Sequence, residues 1–162
     1  LGKYEIGIVG NGLSAYLVLK HLVSLAPEIK VALFNSSQYN AIEGPAYLKN
    51  EKAHFFLNTP SSKIALSDEN AYDFCDFLGL NAEERDWHFA SRADYGKYAK
   101  SKLALYDSYA SQFGSANKIK RSEERFEVYT NDGIVSCNKI LLATGNDFDN
   151  AWQGVILSLI HI

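Results

Sequence analysis

Gly10-Asn11-Gly12-Leu13-Ser14-Ala15 is the run of this chain whose residue types and spacing could do chemistry. Two glycines one residue apart let the backbone turn sharply and approach a ligand closely. If the turn opens a helix, its free amides and the positive helix end suit phosphate groups. Gly10 is expected to end a strand and allow the turn. Gly12 would admit phosphates where a Cβ would obstruct them, and Ala15 would keep the helix close to the sheet. Asn11, Leu13 and Ser14 would present amides. The chemistry implied is pyrophosphate binding, as in a dinucleotide; the alternative is an ordinary glycine-rich connection without a ligand.

Asn35 stands where such a unit normally carries an acid, about 20 residues beyond the glycines, to accept the hydrogen bonds of the adenosine ribose. An amide offers one carbonyl acceptor and a competing NH2 donor, so it holds one hydroxyl where a carboxylate holds two. With Ser36 and Ser37 it could instead tolerate a 2′-phosphate, or it is simply a turn residue after the strand. Arg92 opens a predicted helix, where the helix dipole disfavours a cation unless an anion is near. A cofactor phosphate and the carboxylate of Asp86 are both available readings.

His21, His54, His88 and His161 show no metal-ligand spacing, so no metal site is expected. His54 and His88 fall in loops, where they line a pocket or are simply solvated. Cys75 and Cys137 lie far apart and outside any C-x-x-C pattern, which suggests reduced thiols and a cytoplasmic protein. Hydrolase and P-loop signatures are absent.

These residues need elements to hold them. Tyr4 to Val9 reads as a buried parallel strand, Leu13 to Leu25 as a helix using Ala15, Leu17, Val18, Leu22 and Leu25, and Ile29 to Phe34 as a second strand. Together they make one βαβ unit. Residues 35 to 66 form a long connection rich in turn signals, a length that is usually functional. A helix is predicted from Ser67-Asp68-Glu69 to Gly79, with Ala71, Phe74, Cys75 and Leu78 on one face. Ser91 with Asp94 makes a capping-box-like start to a long helix, Arg92 to Phe113, with Tyr95, Ala99, Tyr106, Ala110 and Phe113 in its buried stripe and Tyr95 and Tyr98 as packing. Strands follow at Lys118 to Arg121, Phe126 to Thr130, Ile134 to Cys137 and Lys139 to Ala143, with a hairpin turn at Asn131-Asp132-Gly133. The class expected is α/β, with a mostly parallel sheet, a β-hairpin or meander and flanking helices.

The order of five short motifs carries a resemblance. After G-N-G-L-S-A come Gly44-Pro45-Ala46-Tyr47, Leu57-Asn58-Thr59-Pro60, Arg92-Ala93-Asp94-Tyr95-Gly96-Lys97-Tyr98 and Leu141-Leu142-Ala143-Thr144-Gly145. In this the chain resembles the FAD/NAD(P)-binding domain family of bacterial flavoprotein-like oxidoreductases and, more distantly, the flavin-dependent N-hydroxylating monooxygenases. The resemblance implies a Rossmann-like FAD/NAD(P)-binding fold, with the ADP part of FAD on Gly10 to Ala15 and NAD(P)H as co-substrate. It also implies that Ala143 to Gly145 closes over the same cofactor and that Asn58 lies on its flavin side; a loop-capping amide is the other reading of Asn58. In such enzymes the flavin does the redox chemistry, so no catalytic side chain is named. Two departures stand out: Leu19 occupies a position that is often small, which would widen the gap between helix and sheet, and Asn35 replaces the acid.

With 162 residues the chain suffices for one domain with a core, and a net charge of -3 with interspersed signs gives no stripe for nucleic acid or membrane. A small-molecule substrate is the expected partner; the oligomeric state is open. Leu157 to Ile162 resembles the translated mosaic-end adapter of sequencing libraries. Residues 1 to 156 are therefore expected to be a truncated FAD/NAD(P)-binding domain, with 157 to 162 not native and the start missing. The expected function is the N-terminal part of an FAD-dependent, NAD(P)H-using oxidoreductase, monooxygenases included. The alternatives are a non-catalytic nucleotide-binding module and an NADP-dependent reductase without flavin.

Overall fold

The structure, a computed structural model, describes residues 3–35, 41–44, 46–47 and 55–145. Its first 30 or so described residues form the βαβ unit: β1 (Lys3–Val9), α1 (Leu13–Leu25) and β2 (Val31–Phe34). All four residues of β2 are buried, and they alternate between two cores. Val31 and Leu33 join Ile8, Ala15, Tyr16, Leu19, Ala99 and Leu103 under the helices. Ala32 and Phe34 join Val128, Val135 and Cys137. A strand covered on both sides must be apolar throughout, and β2 is.

On α1 the buried residues are Ala15, Tyr16 and Leu19. Leu25, expected inside, is 84% exposed. It lies in the last turn, which runs past the apolar cluster. Leu19 is fully buried in that cluster and fills the space that a small residue would have left.

Beyond β2, a 3₁₀ turn at Ser61–Lys63 precedes α2 (Asp73–Leu78) and α3 (Arg92–Leu103). The helix expected from Ser67 begins only at Asp73, because the Ser67 hydroxyl accepts the amides of Glu69 and Asn70 and holds a turn there. Gly79 ends α2 in the left-handed conformation, φ 71°.

The long helix expected to reach Phe113 is a larger correction. α3 stops at Leu103, Ala104–Tyr109 tighten into 3₁₀ turns, and Ala110–Phe113 form a strand, β3, paired parallel with β2. Two tertiary contacts offset the lost helical turns: Tyr16 donates its hydroxyl to Asp107, and Phe113 stacks on Phe34 and meets Tyr4 edge-on. Edge pairing of β3 satisfies backbone groups of β2 that a helix would have left open.

Three further strands, β4 (Lys118–Arg121), β5 (Phe126–Thr130) and β6 (Gly133–Leu142), complete a six-stranded sheet in the order β3-β2-β1-β6-β5-β4. The strands expected at 134–137 and 139–143 are one. The first half of β6 pairs antiparallel with β5, and from Ser136 to Leu142 it pairs parallel with β1. Gly7 makes that junction tight, since a Cβ there would lie 2.8 Å from both Cys137 Sγ and Ile140 Cδ1.

Strand order therefore departs from β1 in both directions, to β2 and β3 on one side and to β6 on the other. In open α/β sheets such a reversal leaves a crevice at the carboxyl ends of the strands, where ligands bind. Gly10 leaves β1 at that end.

Candidate functional site

The turn after β1 has the local geometry expected of its glycines, for two different reasons. Gly10 adopts φ 114°, and its N–H bonds to Phe34 O at 2.9 Å. A Cβ on Gly10 would stand 2.2 Å from Ala143 O, so this glycine lets the A-T-G segment cross beside the turn. The Ala143 N–H reaches Val9 O at 2.8 Å and holds that crossing in place. Gly12 is the N-cap of α1, with φ -81° and ψ -175°, and a Cβ built on it meets nothing within 4 Å among the described residues. No side chain caps α1, and no acid lies in its first turn. The cradle and the positive helix end are both available to an anion.

Segment 41–44 folds onto this turn. Ile42 N–H donates to Asn11 O at 2.7 Å, and Ile42 bridges Gly12. It does so at φ 73°, a strained conformation for a β-branched side chain that is itself buried. Asn11 is buried beneath. Leu13 and Tyr47 pack against the cluster of Phe74, Ala90, Tyr95 and Tyr98, which brings the start of α3 alongside the start of α1. Gly96, inside α3, lets the Tyr47 backbone approach: a Cβ there would lie 2.7 Å from Tyr47 O.

The chain before Asn58 pairs with the residues that lead into α3, with Arg92 at one end of the pairing and Asn58 at the other. Arg92 N–H donates to Phe55 O at 2.8 Å, Phe56 bridges Ser91, and Leu57 N–H donates to Ala90 O at 2.9 Å. Asn58 follows in this short pairing; it is exposed, and its Oδ1 accepts a 3.4 Å bond from the Thr59 hydroxyl. Ser91 caps α3 by accepting the Asp94 amide at 3.0 Å and donates to the Asp94 carboxylate at 2.8 Å. Bonds from Lys97 and Ser91 hold the Asp94 carboxyl below its usual range. Arg92 is half-buried and forms no ion pair among the described residues, with Asp86 or any other carboxylate.

Asn35 ends β2 at the same edge of the sheet. Its Nδ2 donates to Gln112 Oε1 at 2.7 Å, while its Oδ1 is buried without a hydrogen-bond partner among the described residues. Gly145, at φ 69°, lies just beyond the crossing of Ala143. Of the remaining residues singled out, His88 is half-buried with Nδ1 3.0 Å from the Ser61 hydroxyl, and His21 is exposed on α1. Cys75 and Cys137 are buried and unbridged, and burial pushes the Cys137 thiol up to about 11. Ser36, Ser37, Pro45, His54, His161 and the segment 157–162 lie outside the described residues.

Sequence reasoning did not reach Gln112 or Ile42, and it reached Gly96 only as a member of a motif. Gln112 was hidden in the predicted helix, and the close approach at Gly96 appears only once segment 41–47 is seen against α3. A cleft of about 460 Å³ lies at the opposite end of the sheet, lined by Lys3, Tyr4, Lys30, Ser108 and Tyr109 among others. It holds none of the predicted residues, and it sits at the amino ends of the strands, where this fold class does not place ligands. No group of His, Cys, Asp and Glu suited to a metal occurs among the described residues, and none of their helices is long and apolar enough to cross a membrane.

A mostly parallel sheet with a strand reversal and flanking helices, and a glycine turn leading from its first strand into a helix without a side-chain cap, define an architecture of the Rossmann type. The chain belongs to the FAD-NAD(P)-binding family, whose model matches residues 7–147. No curated protein matches it. Solved structures with this architecture include bacillithiol disulfide reductase from Bacillus cereus, 19% identical with TM-score 0.62 over 89% of this chain and 40% of that one. A flavin monooxygenase from Stenotrophomonas maltophilia is 10% identical, with TM-score 0.61 over 88% of this chain and 38% of that one. Cyclohexanone monooxygenase is 14% identical, with TM-score 0.65 over 90% of this chain and 27% of that one. The chain thus spans well under half the length of these proteins, and at such identities the likeness concerns the fold.

Proposed function

We propose that this domain carries the first cofactor site of an FAD-dependent, NAD(P)H-using oxidoreductase, with the ADP part of FAD on Gly10 to Ala15. The observation that carries the reading is Gly12: an N-cap with open space where a Cβ would be, at the head of a helix that has neither side-chain cap nor acid. That combination suits a pyrophosphate and little else the chain itself offers. Family membership supports it, as do neighbours whose names are those of a reductase and monooxygenases.

When bound, FAD supplies the redox chemistry. The chain's own residues bind and orient it. Gly12 and the amides of Leu13, Ser14 and Ala15 hold the pyrophosphate, and Asn35 reads the ribose. Arg92, without a carboxylate partner among the described residues, neutralises phosphate charge. Asn58 lies toward the flavin, and Gly145 lets the chain pass over the cofactor. The NAD(P)H site and most of the pocket for a small-molecule substrate belong to sequence beyond this domain. Two unbridged, buried thiols suit a reducing cytoplasm.

The test is the visible spectrum of the purified full-length protein. Flavin bands, with FAD and not FMN released on denaturation, are expected, and Arg92→Gln should weaken FAD binding about tenfold or more. A colourless protein that FAD fails to reconstitute would overturn the reading and favour a non-catalytic module. Binding of a 2′-phosphorylated nucleotide without FAD would favour a flavin-free reductase.

A further inference from the structure

The segment that lies on the glycine turn is also fastened to α3. Ile42 is 2% exposed, and its side chain packs in the cluster that contains Ala15, Tyr16 and Leu19 of α1 with Ala99 and Leu103 of α3. Glu43 meets the Lys100 ammonium at 3.6 Å, and the Tyr47 backbone lies over Gly96. Burial of the Ile42 side chain offsets a backbone at φ 73°, which a β-branched residue rarely adopts. The result is the direction of the Ile42 N–H, which donates to Asn11 O at 2.7 Å.

Asn11 O belongs to the same peptide group as the Gly12 N–H. That group is planar and trans, so its carbonyl and its N–H point in opposite directions. At φ -81° the Gly12 N–H nearly eclipses the direction a Cβ would take, and that direction is open among the described residues. The carbonyl is thus drawn toward Ile42, and the amide faces the open side, where none of the described residues accepts it. The turn does not select this orientation by itself, because a glycine at position 12 tolerates a flip of the peptide at little cost. A flip would turn the carbonyl, an acceptor, toward the phosphate oxygens.

We infer that Ile42 is a positioning residue for the phosphate cradle: anchored between α1 and α3, it clamps the Asn11–Gly12 peptide so that the Gly12 N–H is preset toward the pyrophosphate. The inference rests on the assignment of the ADP moiety to the glycine turn. Ile42 acts here through its backbone N–H, and its side chain supplies the anchor.

The experiment is equilibrium titration of the full-length protein with ADP and with inorganic pyrophosphate, together with NMR of protein carrying isotope-labelled glycines. In the unmodified protein ADP should move the Gly12 amide proton downfield, as a phosphate oxygen accepts it. Replacing Ile42 by its α-hydroxy acid makes the bond from Ala41 an ester, which removes the donor and keeps the side chain. Affinity for both ligands should then fall about tenfold, and the Gly12 response should shrink. Ile42→Gly keeps the donor and relieves the strain but loses the anchor, and a loss of about threefold or more is expected. Ile42→Val keeps donor and anchor and should bind within about twofold. A merely structural role would lower the urea midpoints of the variants and leave the affinity of the folded protein and the Gly12 response unchanged. An ester variant that binds ADP within about twofold of the unmodified protein overturns the inference and spares the glycine-turn assignment. If the ester variant does not fold, Ile42→Gly decides by the same criterion. Absence of binding of both ligands by the unmodified protein overturns the assignment and the inference together.

Discussion

Two glycines in one motif answer to different forces. Gly10 is required by the chain itself: its φ of 114° and the Ala143 carbonyl beside it leave no room for a side chain whatever binds there. Nothing among the described residues requires a glycine at position 12, since its φ of -81° suits any residue and the space around it is open, and under the proposed reading only the ligand requires it. Gly10→Ala should therefore destabilise the chain by about 2 kcal/mol or more without any nucleotide, as a lower midpoint in urea unfolding. Gly12→Ala should cost under about 1 kcal/mol in that experiment yet weaken adenine nucleotide binding by about tenfold. If the two variants prove equally unstable, the division of roles is wrong. The turn was legible in the sequence because glycine spacing states a backbone geometry directly. The second constraint on Gly10 was not, because it comes from a carbonyl far along the chain. Gln112 was hidden for a similar reason, as its meaning depends on which strand lies beside β2.

Among the elements, α3 shows where local pattern gives way to tertiary pairing. Its start was readable from Ser91 and Asp94, a signal confined to one turn. Its end was not, since Ala104 to Phe113 carries a tolerable helical pattern and only the open edge of β2 makes a strand of its last four residues. What anchors α3 is also tertiary. Buried Asp73, on α2, accepts the Tyr98 hydroxyl at 2.7 Å and the Lys102 ammonium at 2.6 Å, and Tyr98 in turn accepts the Leu66 amide at 2.7 Å. Burial alone would raise the Asp73 carboxyl, but the bonds from Lys102 and Tyr98 outweigh it and hold the group below its ordinary 3.8. A carboxyl depressed on folding stabilises the fold fully above its unfolded pKa and loses that contribution as pH falls through the folded one. Asp73→Asn should thus cost about 1–2 kcal/mol at pH 7, and the gap to the unmodified chain should close as pH drops below 3.8. Unfolding midpoints measured from pH 7 to pH 3 check this; a gap that persists unchanged at pH 3 assigns the effect to packing.

At the scale of the molecule, the site is a junction where several elements end. β1 passes into α1 through the glycine turn, segment 41–44 lies on that turn at the cost of a strained Ile42, and the start of α3 abuts Leu13. Strain at Ile42 and an uncapped helix are both local debits, and an anion seated on the turn relieves the second directly. A ligand that binds only the folded chain adds stability in proportion to the logarithm of its concentration over Kd. At about 100 times Kd this is near 2.7 kcal/mol. For a chain of this size that corresponds to a rise of about 5–10 °C in Tm. FAD should produce this rise in thermal unfolding, ADP a smaller one, and FMN, which lacks the ADP moiety, the least. An order in which FMN equals or exceeds ADP would place the chief contacts on the flavin side, near Asn58, and would remove the glycine turn from the centre of the site.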